Sequence, residues 1–157
     1  MYRLRQWSAR HARFFEWLYG KFERFLIFLH PVFARIGYQR LDRPAAFVER
    51  IVKGVLFDAK MCGTCTLSST GMVCPMNCPK TMRNGPCGGV RANGHCEVLP
   101  EMPCVWNDAW AGSQLMKGRD KIFAIQPALD NRLRNTSSWL REVRRQTNFA
   151  ADDSGRP

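Results

Sequence analysis

No cysteine lies outside residues 62–104, and no GxGxxG fingerprint, P-loop or nucleophile elbow occurs anywhere in the chain. Those absences remove the common dinucleotide-binding, phosphate-cradling and serine-hydrolase engines. Histidine is scarce: His11, His30 and His95 are far apart in sequence and show no base–orienter pairing. At 157 residues the chain is too short for a full (β/α)₈ barrel. No apolar run approaches a bilayer span, the longest being Phe25-Leu26-Ile27-Phe28-Leu29. The opening MYRLRQW lacks the apolar core and small-residue cleavage site of a secretory signal, and Glu16 and Glu23 are foreign to a transit peptide. A cytoplasmic location is the expectation. Acidic residues are few, 13 against 24 Lys and Arg, for a net charge of +11. The basic residues are spread along the chain, so an acidic protein face, a polyanionic cofactor or a peripheral membrane contact would suit them. Nucleic acid is not expected, because no recognition module accompanies the charge.

What is present is a knot of seven thiols: Cys62, Cys65, Cys74, Cys78, Cys87, Cys96 and Cys104. An odd count without a secretory signal argues against a disulfide framework. A four-thiolate zinc site over Cys62, Cys65, Cys74 and Cys78 is credible. So is an iron–sulfur centre, since Cys74-Pro75 and Cys78-Pro79 match the Cys-Pro that closes bacterial ferredoxin runs. The intervening gaps are two, eight, three, eight, eight and seven residues, which is not the regular zinc-ribbon pattern. In Asn84-Gly85-Pro86-Cys87-Gly88-Gly89 the glycines let the backbone turn with positive φ and aim N–H groups at sulfur. We therefore favour iron–sulfur over zinc. Two ligand arrangements stay open. Cys62, Cys65, Cys74 and Cys78 hold one [4Fe–4S] centre while Cys87, Cys96, Cys104 and His95 hold a second, or the ligands interleave. A redox or structural subunit is expected, not a self-sufficient enzyme.

The flanks read as helices around this knot. The expected architecture is a small, irregular, metal-stabilised cysteine-rich domain flanked by α-helices, mainly α plus loops, with few short strands. Its parts are a basic amphipathic segment over 1–43, the metal-binding domain over 44–120, an extension with a short helix over 121–149, and a disordered tail over 150–157. Phe14, Trp17, Leu18, Phe22, Phe25, Leu26 and Leu29 recur at helical spacing and predict one helix over 4–29, whose aromatic stripe docks on a partner or on the protein's own core. Pro31 ends or restarts it. A second helix is expected from Pro44, with Asp42 near its cap and Phe47, Val48, Ile51, Val52 and Val55 as its apolar face, forming a wall beside the metal. The cysteine stretch is poor in long apolar side chains, so metal should supply its order. Residues 105–118 look helical, with Trp106 and Trp110 sharing a face. Asn135-Thr136-Ser137-Ser138 is a cap before a final helix.

The motifs Met61-Cys62-Gly63-Thr64-Cys65, Cys74-Pro75-Met76-Asn77-Cys78-Pro79-Lys80, Asn84-Gly85-Pro86-Cys87-Gly88-Gly89 and Gly94-His95-Cys96-Glu97-Val98, in that order, resemble the methylenetetrahydrofolate reductase C-terminal domain family. The resemblance covers residues 44 to about 117. It implies an iron–sulfur protein, with zinc as an additional metal, that pairs with a barrel-shaped flavoprotein subunit holding FAD and folate. It also implies that all seven cysteines are ligands. Two full [4Fe–4S] sites need eight thiolates, so one ligand is not cysteine or there is a single cluster, with or without a zinc site.

Overall fold

In a computed structural model, residues 2–147 are described; the tail over 150–157 lies outside them. Among the described residues there are six α-helices: α1 Tyr2–Arg10, α2 Ala12–Phe28, α3 His30–Ile36, α4 Tyr38–Phe57, α5 Val105–Leu115 and α6 Ser138–Gln146. Between α4 and α5 the cysteine stretch is almost wholly turns, with a short 3₁₀ turn at Pro75–Asn77. Among the described residues pairing of β type is limited to isolated bridges, Val90 with Cys96 and His95 with Pro103. No helix is long and apolar enough to cross a membrane among the described residues.

The single helix expected over 4–29 is two, broken at His11. The break lets α1 turn onto α5, where Arg5 is almost fully buried and donates to Asp108 Oδ2 at 2.8 Å and to the Pro103 carbonyl at 2.7 Å. Pro31 restarts the helix, at the first turn of α3, where its missing N–H costs nothing. Pro44 does not begin a helix. It sits inside α4, exposed, and the helix starts six residues earlier behind Gly37 at φ 96°. Asp42, inside the helix, accepts from the Ser137 backbone N–H at 3.1 Å and so serves the start of α6 instead.

The apolar face expected of α4 is inverted. Phe47, Val48, Ile51, Val52 and Val55 face outward, while Ala46, Glu49, Lys53 and Phe57 are buried. Burial of Glu49 and Lys53 is tolerated because each is saturated. Lys53 Nζ donates to Glu49 Oε1 at 2.7 Å and to Ser138 Oγ at 2.8 Å, and Glu49 Oε2 accepts from Ser137 Oγ at 2.8 Å and the Trp139 N–H at 3.2 Å. Helix α2 splits the same way. Phe15 is buried and Phe22 packs edge-on to Trp139, yet Phe14, Trp17, Leu18, Phe25 and Phe28 remain exposed.

The core is not confined to the flanks. Val73, Met102, Val105, Trp106 and Ala109 form one buried cluster with Ala9 and Cys96, while Leu67, Met72 and Cys74 join Ala12, Phe15, Phe57 and Met116 in another. The cysteine stretch thus brings its own apolar anchors, contrary to the expectation that it is too poor in them. Gly71, at φ 62°, meets Gly112 of α5 backbone to backbone, and a Cβ on either would enter the other's main chain. The loop of residues 62–78 is thereby pressed onto α5.

Candidate metal centre

The cysteines ring two cavities. The first, about 360 Å³ with its open mouth, is lined by Cys62, Cys65 and Cys74 together with Ala59, Glu49, Lys53 and Ser138. The second, about 330 Å³, is lined by Cys78, Cys87, Cys96 and Cys104 together with Lys80, Met102, Val105 and Trp106. Among the described residues no group of three or more Cys, His, Asp or Glu side chains is placed to hold a metal ion. The division three and four differs from a first centre of Cys62, Cys65, Cys74 and Cys78. The 3₁₀ turn of Pro75–Asn77 separates Cys74 from Cys78 and sends them to different cavities. His95 is not among the residues lining either cavity. Its Nδ1 lies 2.7 Å from the Pro100 carbonyl, and its backbone carbonyl accepts from the Arg91 N–H.

The first cavity is walled by charge. Lys53 reaches it from the buried side of α4. Burial works against its ammonium, but the Cys65 thiolate and the Glu49 carboxylate outweigh that and hold its pKa above the ordinary lysine range. Arg83, also buried, sets Nη1 3.7 Å from Cys62 Sγ while Nη2 donates to the Thr64 carbonyl at 2.9 Å and Nε to the Pro127 carbonyl at 3.1 Å. Burial pushes the Cys74 thiol up to about 11, backbone N–H groups of Lys60 and Met76 pull it down, and the Cys65 and Cys62 sulfurs push it up again. A bound cation would reverse the balance at Cys74 by holding its thiolate outright. The turn that carries Cys62 and Cys65 is held from above. Arg141 donates to the Gly63 carbonyl, the Asn135 N–H donates to the Met61 carbonyl at 3.0 Å, and a Cβ on Gly63 would strike Leu133.

The second cavity has apolar walls and a glycine-rich rim. Cys96 is fixed by its N–H bond to the Met102 carbonyl at 2.9 Å, and Cys104 by its bond to the Gly94 carbonyl at 3.0 Å. Cys104 is also the N-cap of α5, the helix end that favours negative charge. The expectation that glycine N–H groups aim at sulfur is met at Cys87, which accepts from Gly89 N–H at 3.4 Å. Trp106 closes the cavity floor and anchors itself by donating from Nε1 to the Met82 carbonyl at 3.1 Å. Trp110 does not share its environment. It falls beyond the buried stripe of α5 and is half exposed against Phe123.

Sequence reasoning did not find Glu49, Lys53, Ala59 or Arg83. A Glu and a Lys four residues apart read as a solvated surface pair, and nothing local marks an arginine that answers to a cysteine twenty-one positions away.

No curated protein and no solved structure matches the chain. A family model described as methylene-tetrahydrofolate reductase C terminal matches residues 38–132, from the first turn of α4 to beyond the second cavity. That span is well over half of the 157 residues and contains every thiol. With its motifs in order and its cysteines gathered inside the matched span, the chain belongs to the methylene-tetrahydrofolate reductase C-terminal family.

Proposed function

We propose that this protein is an iron–sulfur, electron-transfer accessory subunit of a flavin-dependent methylenetetrahydrofolate reductase, working in folate one-carbon metabolism. The observation that carries the reading is the partition of seven thiols between two cavities inside the span that defines the family. Thiols that ring a cavity suit a multi-iron core, which takes one sulfur at each corner. A single zinc ion, with bonds of about 2.3 Å, needs them drawn to one point. An iron–sulfur core supplies one-electron chemistry. The chain's own residues hold it, shield it and set its charge: N–H groups on Cys74 and Cys87, cations beside Cys62 and Cys65, and Trp106 against water.

The partner of this reading is the barrel subunit that holds FAD and folate. The outward face of α4 is the surface suited to it. Val55, Ile51 and Phe47 are exposed on a helix whose opposite side lines the first cavity, so a flavoprotein docked there is separated from the thiols by a single helix. Oxygen-free co-purification of the chain with its reductase, with iron and acid-labile sulfide assayed in the complex, tests both parts. Iron and sulfide with co-elution are expected. Zinc without sulfide would leave a structural scaffold for the same partner as the better reading. Val55→Glu should keep the metal and lose co-elution.

A further inference from the structure

We infer that Ala59 occupies the fourth corner of the first cavity, so that a cluster held there by Cys62, Cys65 and Cys74 keeps one iron free of protein thiolate and open to a small exogenous anion. This rests on the iron–sulfur reading above. Ala59, Cys62 and Cys65 keep the two-residue gaps of a C-x₂-C-x₂-C run, with alanine in the first slot, and the Cys-Pro that follows, Cys74-Pro75, comes after eight residues where ferredoxin runs have three. The fold puts that slot beside the thiols. Ala59 lines the cavity with the three thiols and packs with Cys65 against the cluster that contains Cys74. Its place is fixed, because α4 ends in left-handed Asp58 and the Ala59 N–H turns back to the Lys53 carbonyl at 3.2 Å.

Among the described residues no substitute ligand stands ready. The other four thiols line the second cavity. Both oxygens of Glu49 are engaged by Lys53, Ser137, Ser138 and Trp139. The Lys60 ammonium is turned to Asp58 at 3.2 Å. Lys53 on the cavity wall and Arg83 beside Cys62 give the site a positive field, which favours an anion as the incoming ligand.

The experiment uses the full chain, purified without oxygen with its reductase, as wild type, Ala59→Cys and Ala59→Ser. Ferricyanide takes one electron from a [4Fe–4S] core, and an iron without thiolate then leaves as Fe²⁺, with ferrocyanide and a [3Fe–4S] core as the other products. Wild type and Ala59→Ser should release iron and develop the [3Fe–4S] electron paramagnetic resonance signal, whereas Ala59→Cys should lose that signal. Cyanide added to the untreated wild type should shift the Mössbauer parameters of one iron, a measurement that stands even if Ala59→Cys fails to fold. Sulfide-containing wild type that shows neither the [3Fe–4S] signal nor the cyanide shift, or Ala59→Cys that behaves as wild type, overturns the open corner alone. Protein without acid-labile sulfide overturns it together with the function it rests on.

Discussion

The two cysteine cavities are built on opposite principles. The first has three thiols, with buried Lys53 and Glu49 on its wall and Arg83 beside Cys62, each satisfied by hydrogen bonds. The second has four thiols and is lined by Val105, Met102 and Trp106, and its Lys80 pairs with Glu97 where both are exposed to solvent. The three-thiol cavity has Lys53 on its wall and Arg83 beside Cys62, while Val105, Met102 and Trp106 stand beside the four thiols of the other. The difference teaches that the number of thiols and the buried charge around them vary together.

Lys53→Met should break the contrast most strongly. It leaves the Glu49 carboxylate buried without its cation, a loss of about 3–5 kcal/mol in denaturant unfolding. Because the Lys53 pKa is raised, its charge is fully present below the ordinary lysine range, so the loss shows at neutral pH. Adding Glu49→Gln should recover much of it, and no recovery would mean that the charge of the wall is not what matters.

Trp106→Ala should act on the other cavity. Removing the indole costs about 3 kcal/mol and admits water beside Cys78 and Cys104. On the iron–sulfur reading, bleaching in air, followed at visible wavelengths, should then accelerate for a cluster held in the second cavity and stay unchanged for one held in the first. The smallest effect belongs to Lys80→Met. The pair it removes is exposed, so melting at neutral pH should not change measurably. The Lys80 hydrogen bond holds the Glu97 carboxyl below its usual range. Its contribution is therefore present above the ordinary carboxylate pKa and fades as pH falls through the lowered one, so any difference from wild type should shrink toward acid. A large effect at neutral pH would mean that the second cavity depends on charge after all.

Much of this was readable from the chain. The clustering of Cys62 through Cys104, the helix at 105, and the Ser137 cap, whose Oγ accepts from the Leu140 N–H at 3.3 Å, follow from local pattern. The division of the thiols between two cavities rests on the Pro75–Asn77 turn, which spacing alone does not reveal. The face of α4 was read backwards because periodicity ranks side chains by hydropathy, and a saturated Glu49–Lys53 pair can be buried in spite of it. Arg5 was equally hidden. Its partner Asp108 lies 103 residues away, and no window of sequence spans that distance.

The ties that reach across the ends of the matched span have a practical result. Arg5 grips Asp108, Ser137 and Ser138 feed Glu49, and Arg141 holds Gly63, yet all four donors lie outside residues 38–132. An excised fragment trimmed to the family borders would keep every cysteine and lose the braces of the first cavity and of α5. The length of chain that carries the ancestry is shorter than the length that these ties hold together.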